Sequence, residues 1–112
     1  IWDDADRSLF LARDPYGIKP LYYTNFGGEF RFASQVKALL SDRSLPRQPD
    51  PVGYAGFRLW GSVPEPHTMF AAIRALPAGH MLKVRPGEPV ADPREYASIA
   101  QLFASEAPAP TE

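Results

Sequence analysis

The stretch Leu11-Ala12-Arg13-Asp14-Pro15-Tyr16-Gly17-Ile18-Lys19-Pro20-Leu21-Tyr22-Tyr23 decides how the chain is read. Two apolar runs flank a short polar hinge. Pro15 fixes φ and Gly17 accepts a positive φ, so Asp14–Gly17 reads as a tight turn. Before it, Ser8–Ala12 is a short apolar run between polar segments, the pattern of a buried strand. After it, Leu21–Thr24 is rich in aromatic and β-branched residues and reads as the next strand. Arg13, Asp14 and Lys19 stand at the strand ends, and Arg13 and Asp14 are expected to brace the turn by a charge-assisted hydrogen bond. Gly17 supplies a backbone angle that other residues resist. Pro20 is expected at a strand start, where no ladder donor is needed.

Upstream, Ile1-Trp2 looks like the end of a strand, and Asp3–Arg7 would close a hairpin onto Ser8–Ala12. A chain that opens mid-strand on Ile1 is expected to have lost an upstream neighbour. Downstream, Asn25–Gly28 is expected to be a loop. Glu29–Ala33 alternates with period two, so Phe30 and Phe32 should face a core while Glu29 and Arg31 face water or a partner. Ser34 is the expected cap of a helix over Gln35–Leu40, with Val36, Leu39 and Leu40 on one face. Arg43–Pro49 reads as a loop. Asp50-Pro51 is a strong helix start, with Val52, Ala55 and Leu59 as the expected stripe and Gly61 as the stop. Gly53 and Gly56 inside this helix each cost up to ~1 kcal/mol relative to alanine, so it needs packing to persist.

Val63–Thr68 is a proline-stiffened loop. Thr68–Ala72 is expected as one turn of helix, Ala72–Leu76 as extended and Pro77–Gly79 as a turn. His80–Val84 is expected as the last strand. From Arg85 the pattern fades. Tyr96–Ala104 has weak helical spacing, and Ala107–Glu112 is expected to be disordered.

The 112 residues fit one small domain or part of a larger one. Hydrophobic residues at 45% and charged residues at 22% describe an ordinary globular composition. Five of the 13 prolines follow Val84, so the tail differs from the body. Twelve basic against thirteen acidic residues, with no basic stripe, give no footprint for nucleic acid or an anionic membrane. No apolar run approaches the ~20 residues of a membrane span, and no signal-peptide pattern opens the chain. The chain has no cysteine. That removes disulfides, thiolate metal sites and a cysteine nucleophile from it, and fits a reducing, cytoplasmic setting.

Candidate chemistry is sparse. His67 and His80 lie far apart without a ligand cluster, so they read as loop and strand-edge histidines rather than metal ligands. Asp3, Asp4 and Asp6 lack the glycine and distal glutamate of a calcium loop. Gly27-Gly28 lacks the lysine and hydroxyl residue of a phosphate loop. Ser8 and Ser34 have no base beside them, and the acids sit mostly in turns, not paired across a cleft. No catalytic, substrate-binding or metal residue is assigned. The residues singled out are structural: Arg13, Asp14, Gly17, Lys19 and Pro20.

That segment resembles Arg-Asp-x-x-Gly-Ile-Lys/Arg-Pro-Leu-x-Tyr of the class II, N-terminal-nucleophile glutamine amidotransferases, and above all glutamine-dependent asparagine synthetases. Further blocks follow in the same order. Phe32–Leu40 is similar to Phe-Ala-Ser-Glu-x-Lys-Ala-Leu, Gly61–Phe70 to Gly-x-x-Pro-x-Pro-x-Thr-Leu-Phe, and Ile73–His80 to Ile-x-x-Leu-Pro-Pro-Gly-His. Gln35 departs from the family's glutamate.

The resemblance implies an α+β fold, part of an αββα sandwich with antiparallel strands. It implies residues 1–84 as the later half of the amidotransferase domain, and 85–112 as a proline-rich linker toward an ATP-dependent synthetase domain. In the parent, glutamine would be hydrolysed at an N-terminal cysteine whose α-amine is the base. The ammonia would then meet aspartate activated by ATP and Mg. The cysteine and glutamine-binding residues of the family lie upstream of the position of Ile1. The expectation is therefore a scaffold piece that is inactive alone, whose partners are the missing half-domain and the synthetase domain. Two alternatives remain: a non-catalytic docking module, or part of a cousin that forms an amide or lactam.

Overall fold

The computed structural model describes residues 1–106, so the expectation for Ala107–Glu112 lies outside the described residues. In chain order the elements are β1 (Trp2–Asp3), β2 (Ser8–Ala12), β3 (Tyr22–Phe26), β4 (Glu29–Ala33), α1 (Val36–Leu39), α2 (Pro51–Trp60), β5 (Arg74–Ala75), β6 (His80–Val84), β7 (Arg94–Glu95) and α3 (Ile99–Glu106). The described residues fall into two compact units: residues 1–18 with 78–106, and residues 19–77. The class is α+β with antiparallel sheets, as expected from the sequence.

In the first unit the strand order is β1-β2-β6-β7. Trp2 faces Leu9 and Asp3 faces Ser8, so the expected N-terminal hairpin forms with Asp3 already inside its strand. The acidic turn has a structural reason. Asp3 accepts the N–H of Ala5 and of Asp6, at 3.0 and 3.2 Å. Asp6 takes Lys83 Nζ at 2.5 Å and Arg85 at 3.0 Å. The Lys83 contact, then Ser8 and Arg85, hold the Asp6 carboxyl down at about 2, against an opposing effect of burial. Leu11 and Leu82, paired across β2 and β6, are buried.

In the second unit the order is β4-β3-β5. Leu39, Leu45 and Ile73 form the core, packed by Tyr22, Ala33, Val36, Leu40, Phe70 and Ala72. Thr24, buried on β3, donates its hydroxyl to the Ala72 carbonyl at 2.7 Å. Val36, Leu39 and Leu40 thus face the core as their spacing predicts. Leu45 is 2% exposed although its segment reads as a loop.

Several expectations are corrected. The β3–β4 connection is shorter than Asn25–Gly28: Asn25 and Phe26 belong to β3, and Gly27-Gly28 alone turn the chain, both with positive φ. The register pairs Tyr22 with Ala33 and Thr24 with Arg31, which puts Arg31 on the α1 side and Phe30 and Phe32 on the other. Arg31 is accommodated there because Asp42 and Glu29 bond its guanidinium. Phe30 stacks on Tyr23 with ring centroids 5.7 Å apart, whereas Phe32 is 48% exposed. Alternation separates two faces of a strand but does not say which one a helix covers.

Ser34 is not the cap of α1. Gln35 holds that position in extended geometry, without a side-chain bond. Thr68–Ala72 is not helical; it holds a turn and an isolated bridge between Pro49 and Phe70. His80–Val84 is not the last strand, since β7 pairs with it within the proline-rich stretch. Tyr96 lies outside α3.

The buried stripe of α2 is Gly53 and Gly56, not Val52, Ala55 and Leu59, which are exposed. A Cβ at Gly53 would lie 2.0 Å from the Thr68 carbonyl oxygen, and one at Gly56 would lie 2.3 Å from Pro64 Cδ. The two glycines let the 64–68 loop lie directly on the helix backbone, so their low helix propensity is outweighed by close approach. Gly53→Ala should therefore lower stability by about 1–3 kcal/mol through overpacking, despite the better helix former. Thermal unfolding checks this against Val52→Ala, expected to change little, and an unchanged or raised midpoint for Gly53→Ala would refute the packing.

Candidate functional site

The turn singled out by sequence forms as a hydrogen-bonded structure in the first unit. The Gly17 N–H donates to the Asp14 carbonyl at 3.1 Å, and Gly17 has φ 65°. Arg13 Nη2 donates to the Gly17 carbonyl at 3.0 Å, and the Asp14 carboxylate accepts the Ile18 N–H at 3.1 Å. The Asp14 carbonyl also accepts from Gly79 N–H at 3.0 Å, which carries the turn onto the start of β6. A Cβ on Gly17 would sit 3.2 Å from both Ala78 Cβ and Arg13 Nη2. Lys19 and Pro20 belong to the second unit, where both are exposed. Leu21 separates Pro20 from β3, so Pro20 lies just before the strand rather than starting it.

In the second unit, sequence reading identified the Asp50 cap but missed what the cap is tied to. Asp50 Oδ1 accepts Val52 N–H at 2.9 Å and Gly53 N–H at 3.3 Å, and Pro51 occupies the first helical position. The other carboxylate oxygen lies 2.8 Å from His67 Nδ1, and Arg74 Nη1 lies 3.8 Å from that oxygen and 3.0 Å from the same ring nitrogen. One nitrogen cannot donate to Asp50 and accept from Arg74 together. With Asp50 ionised, the Nδ1 proton belongs toward the carboxylate, and Arg74 serves as a neighbouring positive charge. The Asp50 N–H also donates to the Met69 carbonyl at 3.0 Å. His67 is 17 residues from Asp50, and no spacing rule in the sequence links them.

Burial of Asp50 opposes its ionisation. The His67 bond and the Gly53 and Val52 N–H groups outweigh it and leave the carboxyl below its ordinary value. Among the described residues no group of three or more His, Cys, Asp or Glu is placed to hold a metal ion, and no helix is long and apolar enough to cross a membrane. The arrangement braces two turns and a helix start. It offers a titratable cluster but no nucleophile.

The family described as "Glutamine amidotransferase domain" matches residues 1–97. The chain belongs to this family. Asparagine synthetase [glutamine-hydrolyzing] 1 of Bacillus subtilis (strain 168) is 36% identical over 86 residues, 77% of this chain and 13% of that protein. Asparagine synthetase [glutamine-hydrolyzing] 2 of the same organism is 38% identical over 89 residues, 75% and 12% respectively. Amidase chyE of Penicillium rubens is 35% identical over 88 residues, 79% of this chain and 12% of its own length. No solved structure matches significantly. The chain therefore spans about an eighth of the length of the curated relatives it matches, and the resemblance to glutamine-dependent asparagine synthetases is borne out.

The Asp50 node generates a pH prediction. A carboxyl depressed in the folded state stabilises above its unfolded value, near 3.9, and that contribution is lost as pH falls through the folded value. Asn caps a helix about as well as Asp, so Asp50→Asn removes mainly the charged bond to His67, worth about 1.5–3 kcal/mol. The stability gap between wild type and Asp50→Asn should be full above pH ~5 and narrow below pH ~4. Denaturant titrations across that range measure it; a gap that stays flat from neutral pH to 3 would show that the charge contributes nothing.

Proposed function

We propose that the chain is the scaffold part of the glutaminase domain of a glutamine-hydrolysing, asparagine-synthetase-type ligase. The observation that carries this is the family match joined to the colinear blocks Leu11–Tyr23, Phe32–Leu40, Gly61–Phe70 and Ile73–His80. The curated synthetases quoted above are named for the glutamine-hydrolysing reaction. In this reading the whole protein hydrolyses glutamine and passes ammonia to aspartate activated by ATP and Mg on a synthetase domain. Residues 1–84 are the later half of the glutaminase domain, residues 85–112 lead toward the synthetase domain, and glutamine meets residues outside this chain. The setting is the cytoplasm.

The fold in this reading is the αββα sandwich of N-terminal-nucleophile enzymes. Support comes from the second unit alone: α1 covers one face of the β3–β4 hairpin, while Tyr23, Phe30 and Phe32 form an aromatic row on the other, suited to packing under a second sheet. Arg13, Asp14, Gly17, Lys19 and Pro20 are then scaffold, shaping one end of that sandwich. A cysteine-free chain has no thiol to attack glutamine.

The similarity to a protein named an amidase favours a second reading, in which the acceptor is not free aspartate. The two diverge experimentally. The chain alone should release no ammonia from glutamine in a coupled glutamate dehydrogenase assay; release by the pure chain would place the chemistry within it and overturn the scaffold assignment. The full-length protein should form pyrophosphate only when aspartate is supplied. Pyrophosphate formation indifferent to aspartate would favour the amide-forming cousin.

A further inference from the structure

In the first unit, residues 85–97 lead into the edge strand β7 alongside β6 with little burial: positions 86–89, 91–92 and 94–96 are exposed. The segment is held mostly by main-chain bonds. Arg13 N–H donates to the His80 carbonyl at 3.0 Å, so His80, Leu82 and Val84 turn their main-chain groups toward β2, and Met81 turns its own toward β7. Arg94 therefore pairs with Met81, and the Gly79 carbonyl accepts the N–H of Tyr96 at 2.8 Å and of Ala97 at 3.3 Å. Side chains add an anchor at each end. Arg85 bonds Asp6 at 3.0 Å, and the Tyr96 hydroxyl donates to the Arg13 carbonyl at 2.6 Å.

Packing under the segment is incomplete. A cavity of about 180 Å³ is lined by Phe10, Met81, Leu82, Lys83, Asp92 and Arg94. At the far anchor the fit is close, since a Cβ on Gly79 would lie 2.0 Å from the Ala97 carbonyl oxygen. Next to it, the β2–β6 ladder carries the buried Leu11 and Leu82. Segments with few buried apolar contacts and exposed backbone bonds open at lower free energy than the ladder they lie on.

We infer that residues 85–97 form a strap that detaches from β6 as a unit while the β2–β6 ladder stays closed, with the Tyr96 hydroxyl as its latch onto the Arg13 turn. Closed, the strap fixes the direction in which the chain leaves the sheet toward α3. Open, it bares the Met81 edge of β6 and the Phe10–Met81 face, and releases the Arg13 carbonyl. The proposal rests on the geometry of this unit and not on the ligase reading.

Amide hydrogen exchange on the whole chain, read residue by residue, tests it. The amides of Met81, Arg94 and Tyr96 report the strap, and those of Leu11 and Leu82 report the ladder. Strap amides should exchange at least about tenfold faster than ladder amides, with a weaker dependence on denaturant. Tyr96→Phe should speed the strap amides roughly fivefold and leave the ladder unchanged, as expected for one neutral hydrogen bond. On the unaltered chain, tryptic cleavage at Arg94–Glu95 should be insensitive to low denaturant. A common exchange rate and denaturant slope for both sets, cleavage that tracks global unfolding, or a Tyr96→Phe effect shared by both sets or absent from both, overturns the strap.

Discussion

A buried carboxylate governs how residues 19–77 close on themselves. Asp50 is 5% exposed, yet every direction around it is answered by a donor: two helix N–H groups on one oxygen, the His67 ring on the other, and Arg74 close by. A buried carboxylate without such partners is costly enough that it would take up a proton or the fold would open. Satisfying it requires the start of α2, the loop bearing His67 and the start of β5 to converge. The same residue's N–H bonds Met69, so main chain and side chain enforce one geometry.

That convergence explains the glycines of α2. For the 64–68 loop to reach Asp50 it must run across the helix at backbone contact, which leaves no room for a side chain at 53 or 56. The helix then turns its larger residues outward, and Tyr54, Phe57, Leu59 and Trp60 stay exposed. The outward side of α2 is therefore mostly apolar.

The first unit solves a different problem with main-chain bonds. The Arg13–Gly17 turn is closed by its own carbonyls and side chains, then joined to β6 through Gly79 and to the later chain through Tyr96. The Arg13 and Asp14 side chains brace the turn by bonding the Gly17 carbonyl and the Ile18 N–H.

Local rules in the sequence settled what depends on neighbours along the chain. Pro15 and Gly17 set the turn, Asp50-Pro51 and Gly61 bounded α2, and the apolar face of α1 followed from its spacing. Motif order also disclosed the family, because turn residues, caps and prolines are fixed by backbone geometry and recur in order. Tertiary structure alone decided which face of β4 met the helix, why Gly53 and Gly56 stand in α2, that His67 bonds Asp50, and that Arg94-Glu95 joins the sheet. Each of these turns on contact between segments far apart in sequence. Periodicity gives a strand two faces and a helix a stripe, but only the packing partner selects between them.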